Sequence, residues 1–242
     1  MALDKKAERV SGLIEELVHV MMWLVHHVMK LAPLGVMGLL YRLASTQSIA
    51  LFQELGLFIV VVFAATLWHG FINIPAMLFL LTRRNPFTIL WHSQRSLWTA
   101  FSTSSSSATL PVTLDIVQNK LKVDPSIGTF VSTIGSSVNM DGTVLYEAMA
   151  ALFVATLLGI HLSLAQQGMV MFMSSIAAIG APGIPSAGMV TLILVLQSVG
   201  LPAEAVALLL PIDRLLDTVR TMVNVEGDII GSVIVDHHIT ET

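Results

Sequence analysis

Ile212–Asp228 reads IDRLLDTVRTMVNVEGD. Four acids, two arginines and an asparagine crowd into it, although the chain around it is apolar almost throughout. Ionisable groups at membrane depth are expensive, and they face a partner, a cavity or a ligand. At helical spacing Asp217, Arg220, Thr221, Asn224 and Asp228 fall at i, i+3, i+4, i+7 and i+11, forming one polar face with Asp213 a turn earlier. Arg214 and Glu226 point elsewhere. A guanidinium offers a planar fork to a carboxylate. An aspartate accepts from an ammonium, and Asn and Asp oxygens hold a hard cation. This is a kit for an amino acid and Na⁺. An internal ion-pair network between packed helices accounts for the same residues equally well.

Working outward, 55% of the 242 residues are hydrophobic and only 12% are charged. A soluble domain carries about 25% charged residues, so the composition reads as a polytopic membrane protein. Ala148–Ala203 and Leu55–Thr82 contain no Asp, Glu, Lys or Arg. Each run exceeds the roughly 20 residues that span a bilayer. The net charge of −4 says little, because orientation follows local Lys and Arg. With no cysteine, disulfide chemistry is excluded. The start, MALDKKAERV, lacks the apolar core of a signal peptide and reads as a cytosolic flank. No basic groove with interleaved aromatics points to nucleic acid.

The order of elements predicts an all-α membrane fold. Residues 1–48 hold the flank and a first helix, Leu13–Leu43. His19, His26 and His27 on it read as polar-face histidines, because no acid completes a metal set. A second helix covers 49–82, kinked at Pro75. Residues 86–122 read as a hairpin: a helix at Phe87–Phe101, a polar tip at Ser102–Thr109, and a second short helix. Non-helical backbone at this depth is tolerated only where it lines a cavity or is buried. The serine cluster has no G-x-S-x-G elbow, so a hydrolase is rejected. Residues 124–158 form a helix broken at Val138–Thr143, where Asn-x-Asp-Gly is a turn signal. Broken helices build ion sites in transporters; a loop between two short helices is the alternative. Residues 164–200 form a second hairpin with a glycine-rich tip at Gly180–Gly188, and 203–237 form the polar last helix. By the positive-inside rule the first hairpin enters from the cytoplasm and the second from outside, making the halves inverted repeats.

Four motifs in order carry a resemblance: SSSSATLPVT (Ser104–Thr113), NMDGT (Asn139–Thr143), IGAPGIPSAG (Ile179–Gly188) and LDTVRTMVNVEGD (Leu216–Asp228). They resemble the C-terminal portion of a glutamate transporter homologue of the dicarboxylate/amino acid:cation symporter family, closer in form to the animal excitatory amino acid transporters. The resemblance implies an elevator transporter core, usually trimeric, with 49–242 as the transport domain and 1–48 scaffold-like. Substrate would lie between the hairpin tips. Arg220 would bind its side-chain carboxylate and Asp217 its amino group, with Thr221, Asn224 and Thr143 alongside. Ser105, Ser106 and Gly183 would meet the α-carboxylate. One Na⁺ would take Asp228 and the carbonyls of Gly135, Asn139 and Asn224. A second would take Asp141 and the Asn139 side chain, and a third the carbonyls of Ala178, Ile179 and Ala181. Glu147 matches the acid implied to carry the proton in proton-coupled members.

The family has further helices before the part matching Leu13, which supply most of the trimer scaffold and the remaining ligands of the Asp141 site. Many homologues keep an extra arginine where this chain has Ser104 or Thr218, and a small residue where it has Pro182. The expectation is Na⁺-coupled symport of aspartate or glutamate across the plasma membrane, with H⁺ and K⁺ as further coupling ions. A core that binds without translocating and a neutral amino-acid exchanger are the alternatives; Arg220 argues against the exchanger.

Overall fold

The computed structural model describes residues 49–240 without interruption and, before them, interspersed positions from Val10 to Ser45. The chain divides into two compact units, Met1–Ser48 and Ile49–Thr242. The described positions of the first unit are helical. His27 bonds the Trp23 carbonyl through Nδ1 at 2.8 Å and lies against its ring. His26 and Leu43 fall outside the described residues.

The second unit contains no strand among its described residues. It begins with α1 (Ile49–Trp68), a single π turn (His69–Asn73) and α2 (Ile74–Thr82). The expected kink at Pro75 takes the form of that π turn. Proline has no N–H to give the preceding turn, and the ladder is carried past it by the Ile74 N–H bonding the His69 carbonyl. Arg83 in left-handed conformation stops α2, and Asn85 caps the next helix with Pro86 at its first turn.

The first hairpin is α3 (Pro86–Thr103) and α4 (Ser106–Asp115), extended by a π turn at Ile116–Lys120. Its limbs lie side by side, joined by Ser96 Oγ and Thr113 Oγ1 at 2.7 Å. Most of the serine run expected to be irregular is helical, leaving Ser104–Ser105 as the tip. The reason is local: Ser105 Oγ accepts from the Ala108 N–H, capping α4 immediately. Asp124 caps α5 (Pro125–Val138), which is interrupted only at Asn139–Met140 before α6 (Asp141–Leu157). The second hairpin is α7 (Leu164–Ile179), which opens with a capping box at Ser163 and Gln166, and α8 (Ala187–Ser198). A 3₁₀ turn leads into α9 (Val206–Thr240), the longest helix among the described residues.

Helix α9 is the axis of the unit. It packs on α1–α2, both limbs of the first hairpin, α5 and α6. Ile74, Leu78, Ala100, Val117, Ile229 and Ile230 form its main apolar cluster. Polar ties add register: Ser132 Oγ meets Ser232 Oγ at 3.1 Å, and the Asp124 N–H donates to Asp236 at 3.0 Å. The distribution of polarity is inverted relative to a water-soluble protein. Val60, Trp68, Leu80, Trp91, Phe130 and Phe172 face outward, while Asp213, Asp217, Arg220, Glu226 and Asp228 are buried. Ile49–Thr82 and Pro125–Leu157 are long and apolar enough to cross a membrane.

Candidate functional site

Three interruptions in helices converge on the middle of α9: the first tip at Ser104–Ser105, the break at Asn139–Met140, and the second tip at Gly180–Ser186. The tips touch. Ser105 Oγ donates to the Gly183 carbonyl at 2.6 Å, and the Ser107 N–H donates to the same oxygen at 3.2 Å. A Cβ at Gly183 would lie 2.5 Å from Ser107 Oγ and from the Ser136 carbonyl, so only glycine allows this approach.

A cavity of about 20 Å³ lies behind the tips. It is lined by Ser106, Thr143, Gly183, Asp217, Arg220, Thr221 and Asn224, and beside them by Ser104 and Met140. The structure therefore gathers every substrate residue expected from the sequence except Ser105, which instead joins the tips and caps α4. This volume holds about one water.

Arg220 dominates the charge there. Its side chain is 2% exposed. Nε and Nη2 donate to Asp217 Oδ1, and Nη1 lies 3.3 Å from Asp213 Oδ1. Its guanidinium carbon sits 4.4 Å from the centre of the Tyr146 ring, a cation–π contact. Asp217 is shared: Oδ2 accepts from the Ser186 N–H at 2.8 Å and has Arg214 Nη1 at 3.8 Å. Arg214, expected to face elsewhere, reaches this cluster because its side chain extends along α9.

Asn224 ties α9 to α6. Its Oδ1 accepts from the Gly142 N–H at 2.8 Å and its Nδ2 donates to Thr143 Oγ1 at 3.1 Å. The first satisfies a donor at a helix N-terminus. It also requires a glycine, because a Cβ at Gly142 would lie 2.5 Å from the Arg220 carbonyl.

One turn further, Asp228 lies directly against Gly135. Asn139 Nδ2 donates to Asp228 Oδ1 at 3.1 Å and to the Asn224 carbonyl at 3.2 Å. Gly135, Asn139, Asn224 and Asp228 thus lie together, with the Asn139 amide nitrogen holding the Asp228 and Asn224 oxygens. Asp141 has a partner of its own, His69 Nε2 at 3.5 Å from Oδ2. The Asn73 amide donates to the other ring nitrogen of His69 at 3.2 Å. Ala178, Ile179 and Ala181 lie at the α7 end of the second tip, where the Ala181 N–H bonds the Ala178 carbonyl at 3.0 Å. Ala181 reaches the cavity wall, whereas Ile179 is exposed. Glu147 is fully buried and accepts a short hydrogen bond from Thr191 Oγ1 of α8. Among the described residues, no group of three or more His, Cys, Asp or Glu side chains could hold a metal.

Asp213 and Tyr146 touch Arg220, Thr191 touches Glu147 and His69 touches Asp141, contacts that the sequence did not assign to these four residues. Asp213 carried a signal, being seven residues before Arg220. Tyr146 and Thr191 sit in apolar runs and carried none.

The model of the family described as the sodium:dicarboxylate symporter family matches residues 1–238. Excitatory amino acid transporter 3 of Mus musculus is 40% identical over 235 residues, covering 97% of this chain and 45% of its own length. An excitatory amino acid transporter of Caenorhabditis elegans is 40% identical over 223 residues, covering 90% of this chain and 44% of its own. Excitatory amino acid transporter 2 of Rattus norvegicus is 38% identical over 244 residues, covering 98% and 42%. The chain spans less than half the length of these relatives.

Proposed function

The chain belongs to the sodium:dicarboxylate symporter family, and from that premise we propose that it forms the core of a Na⁺-coupled symporter for an acidic amino acid. The family and the relatives above are transporters rather than enzymes. The observation that carries the proposal is the buried guanidinium of Arg220, held by two carboxylates of its own helix at the meeting point of the two tips. A dicarboxylate substrate supplies the same chemistry. Its side-chain carboxylate replaces Asp217 and Asp213 on the guanidinium. Its ammonium takes the Asp217 oxygens, displacing the Ser186 N–H. Thr143, Thr221 and Asn224 complete the wall, while Ser105, Ser106 and Gly183 receive the α-carboxylate. Because the cavity holds about one water, substrate enters only when the tips part.

Na⁺ is the co-transported ion. Asp228 with Asn139, Gly135 and the Asn224 carbonyl offers the hard oxygen donors it prefers. Asp141 serves a second ion, and the Ala178, Ile179 and Ala181 carbonyls a third. Glu147, lodged between α6 and the second hairpin, is the proposed proton carrier, and K⁺ is the proposed counter-ion. In this reading 49–242 is the mobile transport domain and 1–48 part of a scaffold. The hairpins are re-entrant from opposite sides of the plasma membrane in an inverted repeat, and the assembly is a trimer. Inverted polarity and two membrane-length helices support the lipid setting.

L-aspartate titrated into the purified protein by calorimetry, with and without NaCl, tests the proposal. Binding that requires Na⁺ supports it; Na⁺-independent or absent binding defeats it. Uptake into proteoliposomes then separates symport from the second reading, a core that binds without translocating.

A further inference from the structure

On the face of α9 turned away from the Arg220 cluster, Glu226 is 4% exposed. Among the described residues no hydrogen-bond partner reaches its Oε1. It forms part of the wall of a cleft of about 490 Å³ between the α1–α2 helix, α3 and α9. That size is ordinary for a small-molecule site. The remaining wall is apolar and aromatic, with Phe71, Phe87, Trp91 and Trp98 around it, and Gln94 as the other polar side chain. No Lys, Arg or His lines it. Gly70, in the π turn, makes the room: a Cβ there would stand 3.0 Å from Glu226 Oε2 and 3.1 Å from Val223 Cγ2.

A buried carboxyl without a partner sheds its charge by holding a proton, or keeps it by meeting a cation, and a ligand that brings the cation favours the ionised form. A bare metal ion does not suit this cleft, because hard cations take six or more oxygens and the wall offers the side chains of Glu226 and Gln94 alone. An ammonium with apolar substituents suits both features. Its charge meets the carboxylate, and its alkyl groups lie on the indole faces, where cation–π attraction is greatest. We propose that this cleft binds an organic ammonium, with Glu226 as the anionic floor and Trp91 and Trp98 as the aromatic walls. The site is separate from the proposed amino-acid site and does not depend on that reading.

The test is calorimetric titration of the detergent-solubilised full chain with benzyltrimethylammonium, and with its uncharged carbon isostere neopentylbenzene in the same detergent. Saturable binding of the cation, at least about tenfold tighter than the isostere, is expected. E226Q is expected to lose about tenfold in affinity for the cation while keeping its helical circular dichroism and Na⁺-dependent aspartate binding. If E226Q fails to fold, W98A at the exposed rim decides instead, with an expected loss of about threefold or more. No saturable binding, equal affinity for the isostere, or unchanged affinity in the folded variant overturns the proposal. Loss of aspartate binding in wild type alone would touch the amino-acid reading and leave this one standing.

Discussion

Ser104–Ser105 end one hairpin and Gly180–Ser186 end the other, and the two tips join at the Gly183 carbonyl. The first is two residues long, and the bonds to its backbone come from its own hairpin. The Ser104 N–H bonds the Ala100 carbonyl, Ser105 Oγ caps α4, and Thr109 Oγ1 donates to the Ser105 carbonyl at 2.8 Å. The second is seven residues long, and α8 starts from Ser186 in left-handed conformation without a side-chain cap. Its amide depends on the Asp217 carboxylate of another helix. One tip is tied within its own hairpin through its backbone, with no partner for the buried Ser104 Oγ among the described residues. The other is held shut by a residue that the proposed substrate would engage, so opening and binding are coupled at one carboxylate.

The strongest way to break that comparison is R220A. Removing the shared partner of a buried charge cluster leaves Asp213 without its cation and Asp217 with only Arg214 and the Ser186 N–H, a loss of about 3–5 kcal/mol. Calorimetry should show aspartate affinity reduced about 100-fold or more, with Na⁺ affinity nearly unchanged; equal aspartate affinity would refute the assignment. G183A comes next, because its Cβ would strike both Ser107 Oγ and the Ser136 carbonyl. Overpacking of this kind costs about 1–3 kcal/mol. The unfolding temperature should fall, and spin labels at Ser102 and Ile179 should move apart. S105A removes the α4 cap and a tip-to-tip bond, and is expected to destabilise by about 1 kcal/mol. Amide exchange at Ala108 should accelerate while α8 keeps its protection. P182A should act on the second tip alone. Freeing the unfolded chain lowers stability by under about 1 kcal/mol, and the spin-label distance distribution should broaden without a change at Ala108.

The positions of the interruptions were legible because they are written in chemistry that helices resist: Asn139-Met140-Asp141-Gly142 and the Gly-Pro run from Gly180. Their extent was less legible. Ser106–Thr109 looked irregular, yet a serine that caps a helix is also the first signal of one. The polar face of α9 followed from spacing alone. What lies opposite did not: periodicity separates faces but does not say that both are buried. Glu226 therefore read as a residue pointing elsewhere, although the α1–α2 helix covers it. His69 and Asp141 are 72 residues apart, and no local pattern links them. Pro75 announced a disturbance in the long helix but not its form, since a kink and a π turn relieve the same missing N–H.

The 20 Å³ cavity carries a consequence for apparent affinity. A molecule with no room for its ligand binds only through the fraction of its population that has opened, and the apparent dissociation constant is the intrinsic one divided by that fraction. With about one molecule in a hundred open, affinity appears about a hundredfold weaker than the contacts alone would give. Variation at loop positions off the cavity wall, such as Pro185, would then retune affinity for the proposed substrate without altering a side chain that lines the cavity.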